Sequence, residues 1–135
     1  MKKKAVKISA VITLLAIFCI CFWFIPVKPL KGAVPGEITK ISVRGRSGLE
    51  NITDPEIVRT ITENIYSCGA KRCGISFGRM GYAYIVEFYK GDEFISSFSL
   101  CGNDTARDSL FFFCPRNGTY CKDYIDTLPG TEAKQ

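Results

Sequence analysis

"YAYIVEFYKGDEFISSFSLC", residues 82–101, decides the fold. Two runs rich in aromatic and β-branched residues flank Gly91-Asp92, the pattern of a β-hairpin. A two-residue turn sets Tyr89 opposite Phe94; a three-residue turn sets Tyr84, Val86 and Phe88 opposite Leu100, Phe98 and Ser96. Glycine at the first turn position favours the former, and clustering of aromatic side chains favours the latter, so the register stays open. Glu87, Ser97 and Ser99 alternate with the apolar residues, which leaves one face of the sheet partly wet.

Toward the N-terminus, "YSCGAKRCGISFGRMGY" (residues 66–82) reads as a glycine-rich connection into the hairpin. It follows the best-defined helix signal, "ITDPEIVRTITENIYS". There Thr53 is placed to cap with Glu56, Pro55 suits the first turn, and Ile57, Val58, Ile61 and Ile65 share one face. Cys68 and Gly69 form its natural stop. Alternation from Thr39 to Arg44 reads as a strand ending in an "RGRSG" loop. Beyond the hairpin, "SLFFFC" and "TYCKD" read as a strand pair turning at Asn117-Gly118, and "DYIDTLPG" as a short terminal helix. The expectation is an α+β fold: a small antiparallel sheet of four to five strands with the helix of residues 54–67 across one face.

Residues 8–25, "ISAVITLLAIFCICFWFI", carry no charge. At the helical rise they span roughly 27 Å, close to a hydrocarbon core of roughly 30 Å. A cleavable leader has a shorter apolar run ending in small residues, whereas this one ends in Phe22-Trp23-Phe24-Ile25. The expected organisation is a cytoplasmic N-terminus (1–7), a transmembrane signal anchor (8–25), a Pro/Gly tether (26–36), an extracytoplasmic domain (37–130) and a disordered tail (131–135). Lys2, Lys3, Lys4 and Lys7 before the span, against Lys28 and Lys31 behind it, set this orientation by the positive-inside rule. A secreted form cut near Gly32 is the competing reading. Cys19 and Cys21 follow bulky residues, unlike a lipid-modified cysteine, and read as ordinary residues of the span.

Charge and composition narrow the function. Six of the 18 basic residues flank the anchor, leaving 12 against 13 acidic ones, so the outer domain is near −1 and the net +5 reports topology rather than nucleic-acid binding. The absence of histidine removes the commonest general base and the usual catalytic zinc ligand sets. Asp104 and Asp108 lie in a turn-forming loop, where carboxylates usually serve the turn. "GISFGRMG" lacks the spacing and the lysine of a phosphate loop. No catalytic residue, metal site or cofactor is expected. Lys71, Arg72 and Arg79 read by default as a solvated basic loop, with an acidic partner or lipid headgroups as the functional alternative.

Outside the cytoplasm, the five domain cysteines read as a disulfide framework. Cys114 and Cys121 flank a turn, and Cys68 and Cys73 are close in sequence; bridging each pair would contribute roughly 2 kcal/mol by loop-closure entropy. Cys101 is left as a free or intermolecular thiol. A redox role for Cys68 and Cys73 is the alternative, opposed by the expected helix C-terminus at Cys68, where the dipole disfavours a thiolate. Asn51, Asn103 and Asn117 each begin an Asn-x-Thr acceptor pattern.

The lysine-rich start and the apolar span, followed by "ITDPEIVRTITENI", "YIVEFYKGDEFISSFSLCGND" and "YIDTLPG", are similar to small signal-anchored proteins of Gram-positive bacteria whose extracytoplasmic domains are mostly of unknown function. The resemblance covers most of residues 37–130; it implies a bacterial cell surface and transfers no site residue. The leading expectation is a non-enzymatic, single-pass membrane protein whose domain binds a protein or an envelope component. Tyr82, Tyr84, Tyr89, Phe94 and Phe98 form the candidate binding face, with core packing expected for at least half of them. Nothing in the sequence sets an oligomeric state.

Overall fold

Both hairpin registers form, one on each side of a β-bulge. In a computed structural model describing residues 2–78 and 81–129, β4 (Tyr84–Lys90) and β5 (Glu93–Leu100) pair Lys90 with Glu93 and Tyr89 with Phe94 next to the two-residue turn. The register then shifts, and Phe88, Val86 and Tyr84 face Ser96, Phe98 and Leu100. Ile95 is the extra residue. A bulge of this kind reconciles the turn that Gly91 prefers, at φ 61°, with the ladder that buries Val86, Phe88, Phe98 and Leu100.

Around this hairpin the sheet has seven strands rather than four to five, all antiparallel, in the order β2-β1-β4-β5-β6-β7-β3. The expected strand is β1 (Lys40–Gly45), and the loop after it turns into β2 (Gly48–Ile52). β3 (Lys71–Ile75) lies inside the stretch that reads as a linker, β6 (Ala106–Arg107) is two residues long, and β7 is Phe111–Cys114. The expected second strand after Asn117-Gly118 is absent among the described residues. That segment instead leads into α3 (Lys122–Asp126), which agrees with the short terminal helix.

α2 (Pro55–Cys68) connects the two edge strands across one face of the sheet. Its cap is Asp54 rather than Thr53: Pro55 takes the first helical position, so the residue before it faces the free amides, and Asp54 Oδ1 accepts from Glu56 N at 2.9 Å and Ile57 N at 3.2 Å. Val58, Ile61 and Ile65 are buried against Ile41, Val43, Val86, Phe88 and Leu100, and Gly69 ends the helix at φ 60°. The segment 26–36 packs onto the same layer through fully buried Leu30, with a short 3₁₀ turn at Pro35–Glu37. α1 (Lys2–Phe24) stands outside the core. Its stretch Val6–Phe24 is long and apolar enough to cross a membrane, and none of it is buried inside the protein. The expected tail of residues 131–135 lies outside the described residues, as does Arg79.

Candidate functional site

The five candidate aromatic residues do not share a surface. Tyr84 and Phe98 point into the core and are buried; Phe98 stacks on Phe113 and meets Tyr120 edge-on at 5.3 Å between centroids. Tyr89 and Phe94 pair edge-to-face at 5.7 Å beside the turn, with Lys40 Nζ 4.5 Å from the Tyr89 centroid. Tyr82 is exposed and lines a separate depression with Ile85, Ser97, Ser99 and Arg107.

A recess holding a linked set of charged and phenolic groups lies where β4 begins. A cleft of about 350 Å³ is lined by Arg46, Tyr82, Tyr84, Cys101, Lys122 and Asp126. Asp126 is its hub: Oδ1 accepts from the Tyr84 hydroxyl at 2.5 Å, and Oδ2 accepts from Lys122 Nζ at 2.5 Å, one helical turn away. Burial together with the Asp126 hydrogen bond pushes the Tyr84 phenol up to about 12. Burial also pushes the Asp126 carboxyl up, but the hydrogen bonds from Lys122 and Tyr84 outweigh it and hold the group below the usual carboxylate value. Gly45 makes room for this arrangement, since a Cβ there would stand 2.8 Å from Tyr84 Cε1. Asn103 ties the site down by donating to Asp123 Oδ2 and accepting from Asp123 N at the start of α3. Its side-chain amide is thereby engaged, in contrast to exposed Asn51 and Asn117. The recess combines two cations, a held carboxylate and two phenols, a set suited to gripping a polar ligand.

The cysteines pair differently from the sequence expectation. Cys73 is bonded to Cys114, with Cα atoms 5.9 Å apart, rather than to Cys68. The reason is β3: from Gly69 the chain runs extended at about 3.3 Å per residue, which carries Cys73 beyond the roughly 7 Å that a bridge tolerates from the helix end. A bulge between Arg72 and Gly74 then turns Cys73 toward β7. Cys121 is not joined to Cys114 because the chain between them enters α3 instead of returning as a strand. Cys68 is a buried thiol donating to Thr119 O, and burial raises its pKa. Cys121 sits at the start of α3, and its thiol is pushed up to about 12, chiefly by burial and further by Cys68. Cys101 is half-buried against Gly81 O, with burial raising its pKa against the Arg107 charge.

The feature with no counterpart in the sequence reading is the junction between α1 and the sheet. Arg72 Nη1 donates to the carbonyls of Phe22 at 2.9 Å and Ile25 at 3.1 Å, reinforcing the end of α1, where Phe22 O also accepts from Ile25 N at 3.4 Å. Its guanidinium lies 4.2 Å from the Phe22 ring centroid and 5.3 Å from that of Phe111. Phe111 in turn meets Phe22 at 6.0 Å and Trp23 at 6.3 Å. Val27 N donates to Ala70 O, an isolated antiparallel bridge that extends the contact.

No protein-family model matches the chain, and no curated protein or solved structure matches it.

Proposed function

We propose that the chain is a single-pass membrane protein that holds its α+β domain on the extracytoplasmic side, against the bilayer, and uses that domain to bind a protein or an envelope component rather than to turn over a substrate. The observation that carries this reading is the α1–β3 junction. A domain on a free tether samples all orientations, whereas one clamped to the last turn of its anchor through Arg72, Phe111 and Val27 presents fixed surfaces to a partner. The lysines before the apolar span support the orientation. The cleft around Asp126, with Arg46 and Tyr82 at the surface, is the proposed contact region.

Full-length protein in intact cells tests both parts. External protease is expected to remove the domain and leave the anchor; cleavage only after lysis would overturn the orientation. A photo-crosslinker replacing Tyr82 in native membranes is expected to give one discrete adduct that the purified component reproduces. A catalytic turnover abolished by Asp126→Asn would overturn the binding role.

A further inference from the structure

We infer that the chain makes a second, shallower membrane contact: the tip where β3 ends and β7 begins, carrying Ile75, Phe77 and Leu110, seats in the lipid interface beside the anchor. The inference rests on the reading of α1 as a membrane anchor and extends it to the domain. Three large apolar side chains are exposed together there, Phe77 at 80%, Leu110 at 59% and Ile75 at 48%. Phe77 also holds a left-handed backbone at φ 47°, a conformation that a side-chain-bearing residue rarely adopts. A strained phenylalanine projecting into water gains nothing from the domain itself, and exposed apolar clusters of this kind mark contact sites.

The direction of β3 identifies what covers the tip. Ala70 bridges Val27 beyond the end of α1, Arg72 reaches the carbonyls of Ile25 and Phe22, and Phe111, paired with Ile75, meets Phe22 and Trp23. Advancing along β3 therefore runs back down the anchor, from the tether toward the apolar span. Phe77 and Leu110 come next in that direction. Ile75 and Phe111, as direct partners in the ladder, present their side chains on the side that α1 meets. The tip is also fit for an interface in which backbone groups need partners. Ser76 N donates to Leu110 O at 2.8 Å, Gly78 N donates to Ser109 O at 3.1 Å, and Asp108 Oδ1 accepts from Leu110 N and Phe111 N. Together with Trp23 and Phe22, the tip makes an apolar and aromatic girdle of the kind that settles at headgroup level.

The test uses full-length protein in phosphatidylcholine–phosphatidylglycerol vesicles containing brominated lipids. A Trp23→Phe background receives a single tryptophan by Phe77→Trp, Leu110→Trp or, as the anchor control, Phe18→Trp. Reporters at positions 77 and 110 are expected to be quenched about twofold or more by lipids brominated close to the headgroup and less by those brominated deep in the chain, as for interfacial residues. The position-18 reporter is expected to respond to the deep bromines. Quenching at 18 without quenching at 77 or 110 overturns the tip contact and leaves the anchor reading standing; no quenching at any of the three overturns both. Reporters at 77 and 110 that are shielded from aqueous iodide yet unquenched by lipid would mean that a protein covers the tip, which also overturns the inference.

Discussion

Tyr84 shows how one residue links core, cleft and pH response. Its ring fills the space left open by Gly45, while its hydroxyl donates to Asp126, a partner that would be lost if the phenol ionised. The folded protein therefore binds this proton more tightly than the unfolded chain, in which tyrosine titrates near 10. The contribution is fully present below about pH 10 and is lost as pH rises toward about 12, at up to roughly 1.4 kcal/mol per pH unit. Tyrosine absorbance during an alkaline titration of the folded protein is expected to show a late ionisation near pH 12 that Tyr84→Phe removes. Tyr120, whose pKa burial also raises, should keep a second late component in that variant. Six tyrosines titrating together near 10 in the folded protein would contradict this account.

At the scale of elements, the Arg72 junction makes the sharpest prediction. Arg72→Ala removes the side-chain donor to the Phe22 and Ile25 carbonyls, leaving Phe22 O with the long bond from Ile25 N, and removes the cation from the Phe22 and Phe111 rings, while β3 keeps its ladder with β7. Spin labels on α1 and the domain are expected to give one narrow distance distribution in the native protein and a broad one in Arg72→Ala. The loss in global stability should be modest, on the order of 1–3 kcal/mol for the removed charge-assisted bonds. An unchanged distribution would mean that the tether, not Arg72, sets the angle. The same elements show what was legible in the sequence. α2 was visible because its apolar period is local, although the cap falls on Asp54 rather than Thr53, and both halves of the β4–β5 register could be written down from local turn and aromatic preferences. Joining them required Ile95 as a bulge, which no local signal announces. β2, β3 and β6 were missed because "GLENI", "KRCGI" and "AR" carry no strand pattern of their own and are held by their neighbours. The disulfide pairing was hidden with β3. In the cleft, Lys122 and Asp126 at helical spacing were a usable signal, but their meeting with Tyr84 depends on α3 folding back over the start of β4.

For the whole molecule, the Cys73–Cys114 bond sits at a strategic place, because β3 is an edge strand paired with β7 alone and also receives α1. Anything that frees β3 loosens the sheet edge and detaches the domain from α1 together. The bond closes a loop with a sequence separation of 41, for which the chain-entropy estimate is about 4 kcal/mol. Total stabilities of domains are about 5–15 kcal/mol, so this is a large share for so small a core. Cys73→Ala with Cys114→Ala is therefore expected to lower the denaturation midpoint strongly, and a reductant should do the same to the native protein. Cys68→Ala, which removes only a buried thiol, should be much milder. The double variant should also show fast hydrogen exchange first in residues 71–75 and 111–114, before α2 or the β4–β5 hairpin opens, because the freed strand has one neighbour and the hairpin has two. Uniform loosening of the whole domain, or a midpoint insensitive to reductant, would show that the sheet edge is held by packing and that the bond is incidental to the clamp.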